Sequence, residues 1–253
     1  MNEIPKIIHY CWFGNKPLPE LAQQCLTSWK QHCPDYEIKR WDESNSKQYF
    51  NTFCKQAYRE KRFAFVSDCI RVKVLKEFGG FYLDTDMMVV KPFDTLRKYS
   101  FFSAFEVPDR PAYGFFGGVA NHRFFELMVD FYENAYFNRY SLPVITHTFK
   151  EQINAHSLKE GEMLFSEAFC YPMPFQKREE DYRNFITEET AAVHLWDHSW
   201  SPASKEGIGW LFMQFLKVHR DYYFYGYPRA YLRRYRKGFA RKIYYKLIGR
   251  KSA

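Results

Sequence analysis

The sequence places two acids one residue apart, Asp84-Thr85-Asp86, inside an apolar run (residues 81–90, FYLDTDMMVV) that reads as a buried strand. Neighbouring carboxylates in an apolar setting repel each other and lose hydration, so something must neutralise them. A divalent cation does so, and hard oxygen ligands suit Mn²⁺ or Mg²⁺. Magnesium takes one or two carboxylates and completes its shell with water and substrate phosphates, which fits a nucleoside-diphosphate site. On a strand the side-chain period of two turns Asp84 and Asp86 to one face, so both can meet one ligand. Solvated, inert acids at a strand end are the alternative that this spacing alone leaves open.

Two further groups can join this pair. Asp68 and Arg71, three residues apart in a segment of helical apolar spacing, share a helix face. On a surface they would form a weak ion pair. Facing the acids, Asp68 accepts from sugar hydroxyls and Arg71 offers a planar fork to sugar or phosphate oxygens. Far downstream stands His194-Leu195-Trp196-Asp197-His198-Ser199-Trp200. Alternation would put the rings of His194, Trp196 and His198 on one face, and imidazole binds Mn²⁺. Structural roles for both histidines are the plain alternative.

The elements that must position these residues are legible in outline. Residues 4–13, 36–41, 81–90, 101–107, 113–119 and 191–196 read as strands, and 163–173 as extended chain. Residues 19–32, 44–60, 63–78, 123–136 and 144–153 read as helices, with Gly79-Gly80 stopping the third. Strands alternating with helices predict an α/β domain with a largely parallel sheet.

Composition narrows the setting. With 253 residues, 46% of them hydrophobic, the chain can bury a sizeable core. Aromatic residues reach 21%, with 26 Phe and 20 Tyr, which predicts rings stacked on bases, sugars or a membrane interface besides the core. The net charge of +8 is a tail property, because ten basic residues and no acid fall in residues 229–253. A diffuse nucleic-acid-binding surface is therefore not implied. The six cysteines have no metal-ligand spacing, and no leader or membrane-spanning run is visible, so free thiols in a reducing cytoplasm are expected. Residues 1–216 are expected to form the main domain. Residues 217–253 are expected to form a helical basic, aromatic extension lying on the anionic inner face of a membrane.

The stretch FVSDCIRVKVLKEFGGFYLDTDMM (residues 65–88) resembles the signature of the glycosyltransferases with a DXD sugar-binding region, family 32 in the usual classification. The opening (residues 4–43) and the late AAVHLWDHSW (residues 191–200) match that family as well. The resemblance implies a GT-A, Rossmann-like fold and a retaining transfer of a hexose or N-acetylhexosamine from a nucleotide sugar, with UDP favoured. Its acceptor would be a saccharide, lipid-linked in capsule or lipopolysaccharide synthesis. Asp84 would touch ribose and donor sugar, Asp86 would be the direct metal ligand, and Asp68 and Arg71 would hold the donor. Asp84, Asp86 and Arg71 would carry the catalysis. A late residue closes the metal shell in related enzymes, which here implicates His194. Trp12 would lie near the base and stack on uracil, or else pack in the core. His198, Trp200 and Tyr113 fall on the acceptor side, with Tyr113 equally a core residue. The sequence departs from the family at Asp197-His198, where small residues are common. The stretch from Tyr171 to Phe175 is expected to be structural. No dedicated base is implied, since a same-face attack can hand the acceptor proton to the diphosphate. A hydrolase would want its carboxylates farther apart than same-strand neighbours. A nucleic-acid-binding module, the other rival, leaves the buried acids without a purpose.

Overall fold

The protein is described by a computed structural model covering residues 3–138, 145–197, 207–227 and 229–247. The apolar opening forms β1 (Ile7–Cys11), flanked in parallel by β2 (Glu37–Trp41) and β3 (Gly80–Leu83). Between β1 and β2 runs α1 (Glu20–His32), which buries Ala22, Cys25 and Trp29. The return to β3 uses α2 (Thr52–Arg59) and α3 (Phe63–Phe78). The single helix expected over 44–60 is instead a 3₁₀ turn at Lys47–Tyr49 followed by α2. Asn51 starts α2 afresh by accepting from the Cys54 amide at 2.9 Å.

α3 ends at Gly79 (φ +64°), and Gly80 (φ +101°) opens β3. A Cβ at Gly80 would lie 2.6 Å from the Ile7 carbonyl oxygen, so only glycine lets the chain pass from helix to strand this closely against β1. Buried His9 locks the same corner. Its Nδ1 accepts from Trp41 Nε1 at 3.1 Å, which leaves Nε2 to donate to the Gly79 carbonyl at 2.9 Å. Burial lowers its pKa to about 4, so the ring stays neutral.

One expectation about the strands needs correction. The strand foreseen over 81–90 is two strands in two sheets. β3 stops at Leu83, the chain turns through Asp84 to Asp86, and β4 (Met87–Val89) pairs antiparallel with β8 (Ala192–His194). The Met87 amide donates to the Asp84 carbonyl at 3.1 Å and closes that turn. The main sheet is parallel-rich, as expected, with one antiparallel member. Its order is β2-β1-β3-β6-β5-β7, with β5 (Phe101–Val107), β6 (Arg110–Gly118) and β7 (Glu162–Phe165). β6 runs antiparallel to both neighbours, because a two-residue turn between β5 and β6 can only make a hairpin. After β7 the chain forms a 3₁₀ turn at Glu167–Phe169 where extended chain was expected. The α/β class itself is as predicted.

Side-chain alternation splits the core between the sheet's faces. Cys11, Tyr82 and Phe101 join α2, α3, α4 (Arg123–Asn134) and α5 (Ile145–His156) in one cluster. Ile8, Phe81, Leu83 and Phe102 face α1 and β4 in the other. The eleven largest fully buried side chains are all aromatic, so much of the ring surplus goes into the core. Each buried Phe contributes about 1.5–3 kcal/mol of hydrophobic stabilisation. All six cysteines are free and buried.

α6 (Ile208–Phe224) and α7 (Arg229–Leu247) pack together through Val218, Tyr227 and Leu232. The boundary expected at 216/217 falls inside α6, because Leu211 and Val218 lie on one continuous buried side of that helix. Among the described residues no helix is long and apolar enough to cross a membrane.

Candidate active site

The turn after β3 projects its acids into a cleft of about 270 Å³ whose wall includes Asp68, Arg71, Asp84, Asp86, Tyr113 and His194. Separate elements deliver them. α3 supplies Asp68 and Arg71, the β3–β4 turn supplies both acids of the pair, β6 supplies Tyr113, and His194 ends β8.

Arg71 organises one end of the cleft. It is only 5% exposed, and its guanidinium lies over the Tyr82 ring at 4.3 Å and the Tyr113 ring at 5.0 Å. Nη2 meets Asp68 Oδ1 at 3.0 Å and Asp84 Oδ1 at 3.1 Å. Nη1 donates to the Tyr113 carbonyl and reaches Asp84 Oδ2 at 3.5 Å, while Nε donates to the Ser67 carbonyl at 3.3 Å. The five N–H donors of the fork thus all have acceptors within the protein. The fork expected to grasp sugar or phosphate oxygens is here clamping two carboxylates. Burial pushes the Asp68 carboxyl up to about 6 against the pull of Arg71, with the charge of Asp84 adding to the rise. Asp84 is raised by burial as well, although Arg71 opposes it and Tyr82 donates to it at 3.2 Å.

His194 organises the other end. Its Nε2 lies 3.3 Å from Asp86 Oδ2, which also accepts the Asp197 amide at 2.9 Å. Burial opposes the charge on Asp86, yet His194 and that amide outweigh it and hold the carboxyl below its ordinary range. His194 is raised by Asp86 against its own burial. The strand register sets this meeting: Met87 pairs with His194, and the Leu195 amide donates to the Asp86 carbonyl at 2.9 Å.

Ligand atoms of Asp84, Asp86 and His194 all lie within 4.8 Å of one another. Carboxylate oxygens and an imidazole nitrogen are a suitable donor set for Mn²⁺ or Mg²⁺. The nitrogen of His194 that faces the acids is Nε2, 3.3 Å from Asp86 Oδ2, while Nδ1 is buried without a hydrogen-bond partner. The residues therefore fit a divalent cation, on the convergence that strand alternation predicted but through a turn.

Other predicted residues are placed differently. Trp12 is buried in the α1-side cluster, its indole N–H donates to the Lys16 carbonyl at 2.7 Å, and it is not part of the cleft wall. The Tyr113 ring is buried and stacks on Phe116 at 5.0 Å, with its hydroxyl on the Asp68 carbonyl at 3.2 Å, so it supports α3 and presents little face to a sugar. β8 ends at His194 and Trp196 takes φ +58°, so the alternating row does not form, though the two rings meet edge-on at 4.4 Å. His198 and Trp200 lie outside the described residues.

Tyr82 and Tyr171 also line the cleft and had no site role in the sequence reading, whereas Glu106 and Gly114 line it within the stretch from Glu106 to Gly118 that the family resemblance places on the acceptor side. Tyr171, expected to be only structural, packs on His194 at 5.0 Å. A Cβ at Gly114 would meet Asp84 Oδ2 at 2.6 Å and the Tyr171 hydroxyl at 2.7 Å, so glycine is needed for close approach. Only Tyr82 had a local signal, being two residues before Asp84 on the same strand face.

Comparison with known proteins finds similar sequences and folds. Residues 1–167 match the family of capsular polysaccharide synthesis proteins. A lactosylceramide 4-alpha-galactosyltransferase of Rattus norvegicus is 31% identical over 156 residues, covering 52% of this chain and 40% of the relative. An inositol phosphoceramide mannosyltransferase of Schizosaccharomyces pombe is 30% identical over 155 residues, covering 56% and 42%. The chain thus spans about two-fifths of the length of these curated relatives. Among solved structures, the galactosyltransferase LgtC with donor and acceptor sugar analogues overlays with a TM-score of 0.44 at 14% identity, covering 77% of this chain and 88% of the other. The PaToxG glycosyltransferase gives 0.45 at 21%, covering 53% and 62%.

Proposed function

The chain belongs to the family of capsular polysaccharide synthesis proteins, and from that premise we propose that it is a metal-dependent retaining glycosyltransferase acting on a nucleotide sugar, with UDP as the nucleotide. The convergence of Asp84, Asp86 and His194 beside the Asp68–Arg71 clamp carries this reading. Asp84, Asp86 and His194 would hold Mn²⁺ or Mg²⁺, which supplies positive charge to a departing diphosphate.

The chain's own residues do the rest by positioning. Arg71 fixes Asp68 and Asp84 with their outward lone pairs available, so donor sugar hydroxyls can donate to preset acceptors. In the transfer the bond from the anomeric carbon to the diphosphate oxygen breaks. The acceptor oxygen bonds that carbon from the same face, and its proton passes to the diphosphate. The relatives named as galactosyl- and mannosyltransferases of ceramide-based glycolipids support a hexose donor and a lipid-linked saccharide acceptor. A metal-binding hydrolase of other phosphates would share the acids but has no use for the Asp68–Arg71 clamp.

The test is a panel of UDP- and GDP-sugars assayed for slow donor hydrolysis with Mn²⁺, with Mg²⁺ and with chelator. Metal-dependent release of one sugar supports the proposal. Equal turnover in chelator, or no release from any donor, would overturn it.

A further inference from the structure

Helix α6 has two apolar sides, one buried and one largely exposed. Leu211, Val218 and Asp221 are buried on the inner side. On the outer side Ile208, Phe212 and Leu216 recur every four residues and are 49%, 53% and 60% exposed, with Phe224 79% exposed near the helix end. An apolar stripe of this kind on a surface helix is costly in water unless something meets it.

Charge indicates what meets it. The single acid of α6, Asp221, is buried and paired with Arg220. α7 contains no acid and exposes Arg229, Arg233, Arg234, Arg236, Lys237 and Arg241. The Phe239 ring of α7 contacts Phe212 at 5.3 Å and Phe215 at 4.7 Å, so the cationic helix runs alongside the stripe. A second copy docked face to face would bring cations against cations. A bilayer containing anionic lipid offers hydrocarbon to the rings and negative headgroups to the cations at one surface.

We propose that the outer face of α6, flanked by α7, seats this protein on an anionic lipid surface. Phe212 and Leu216 enter the headgroup–acyl boundary while the α7 cations engage the headgroups. The apolar contact thus begins upstream of the basic tail, on a helix starting at Ile208, and α7 serves mainly as its electrostatic partner. This inference is independent of the transferase reading, because lipid binding is measured without donor.

The experiment is sedimentation of the full chain with vesicles of phosphatidylcholine alone or with one quarter phosphatidylglycerol. The wild type should pellet with the anionic vesicles and partly release at high salt, where charge attraction is screened. Phe212→Glu/Leu216→Glu should lower that partition by about tenfold or more. Its circular dichroism and donor hydrolysis should be unchanged, since both positions are more than half exposed and neither lines the cleft. The conservative Phe212→Leu/Leu216→Phe should bind as wild type does. Equal pelleting of the double-Glu variant, absence of wild-type binding, or equal binding to neutral and anionic vesicles would overturn the proposal. So would a loss of self-association without loss of lipid binding, which would make the stripe an interface between copies. Vesicle binding by a protein that hydrolyses no nucleotide sugar would overturn the transferase reading alone.

Discussion

The two ends of the cleft handle their carboxylates in opposite ways, although Asp84 and Asp86 are separated by a single residue. At the α3 end, Asp68 and Asp84 are bridged by an arginine whose donors are all committed, and burial raises both carboxyls. At the β8 end, Asp86 is held below its ordinary range beside a histidine that keeps one buried nitrogen unpartnered. The first end is closed and preset. The second keeps an ionised carboxylate beside an imidazole, a donor pair that suits a cation. On the proposed reading, a neutral sugar and a charged diphosphate held together would use both kinds of end, and the turn between β3 and β4 supplies one acid to each.

Substitutions at the two ends should therefore fail differently. Asp86→Ala should have the largest effect, a loss of roughly 10³-fold or more in metal-dependent donor turnover with the melting temperature little changed. An active, well-folded Asp86→Ala protein would erase the distinction between the ends. Arg71→Lys should follow, at about 10²- to 10³-fold, because one ammonium cannot bridge Asp68, Asp84 and the Tyr113 carbonyl at once. Its Mn²⁺ affinity should fall far less than that of Asp86→Ala, since Asp84 keeps its carboxylate and loses only its clamp, so calorimetry separates the two.

Gly114→Ala sharpens the comparison from outside the charged set. The added methyl must displace Asp84 or the Tyr171 hydroxyl. Misplacing the shared acid should cost on the order of 10²-fold in turnover, and wild-type rates in this variant would argue that Asp84 is not held where it acts.

Asp68→Asn gives the smallest effect and a sign that can be checked. A folded-state pKa of about 6, above the ordinary 3.8, means the fold favours the protonated carboxyl. The stability Asp68 contributes is therefore fully present below its unfolded pKa and is lost as pH rises through about 6. Donor binding, which wants the carboxylate, should change in the opposite sense. Urea midpoints between pH 4 and 7 should slope less for Asp68→Asn than for wild type, and sugar-nucleotide affinity near pH 7 should fall about tenfold while affinity for UDP holds. Equal losses for the two ligands would remove Asp68 from the sugar contact.

How much of this was legible in the sequence divides along local and non-local lines. α3 and its glycine stop lie where apolar spacing put them, because both signals are written within one turn of chain. The grouping of Asp68, Arg71, Asp84, Asp86 and His194 was legible from motif spacing and family resemblance. The break of the strand at Asp84 was not, since it depends on β4 finding β8 more than a hundred residues later. Tyr171 reaches the cleft only through the chain that follows β7 and carries no local mark, while Gly114 reaches it through sheet pairing, within the stretch that the resemblance places on the acceptor side. For Trp12 the core alternative holds, because the end of the first strand lies near the cleft through Cys11 while this ring turns to the α1 side of the sheet. The exposed side of α6 was hidden by composition alone, which drew attention to the charges of α7.

The central claim is that Asp84, Asp86 and His194 form a divalent-cation site at the mouth of a donor cleft. Electron paramagnetic resonance of Mn²⁺ titrated into the full chain, with and without UDP, tests it most directly. The account predicts saturable binding by wild type, tightened by UDP, and a loss of about 10- to 100-fold in affinity for His194→Ala, with binding undetectable in Asp86→Ala. Equal Mn²⁺ binding by wild type and Asp86→Ala would contradict it.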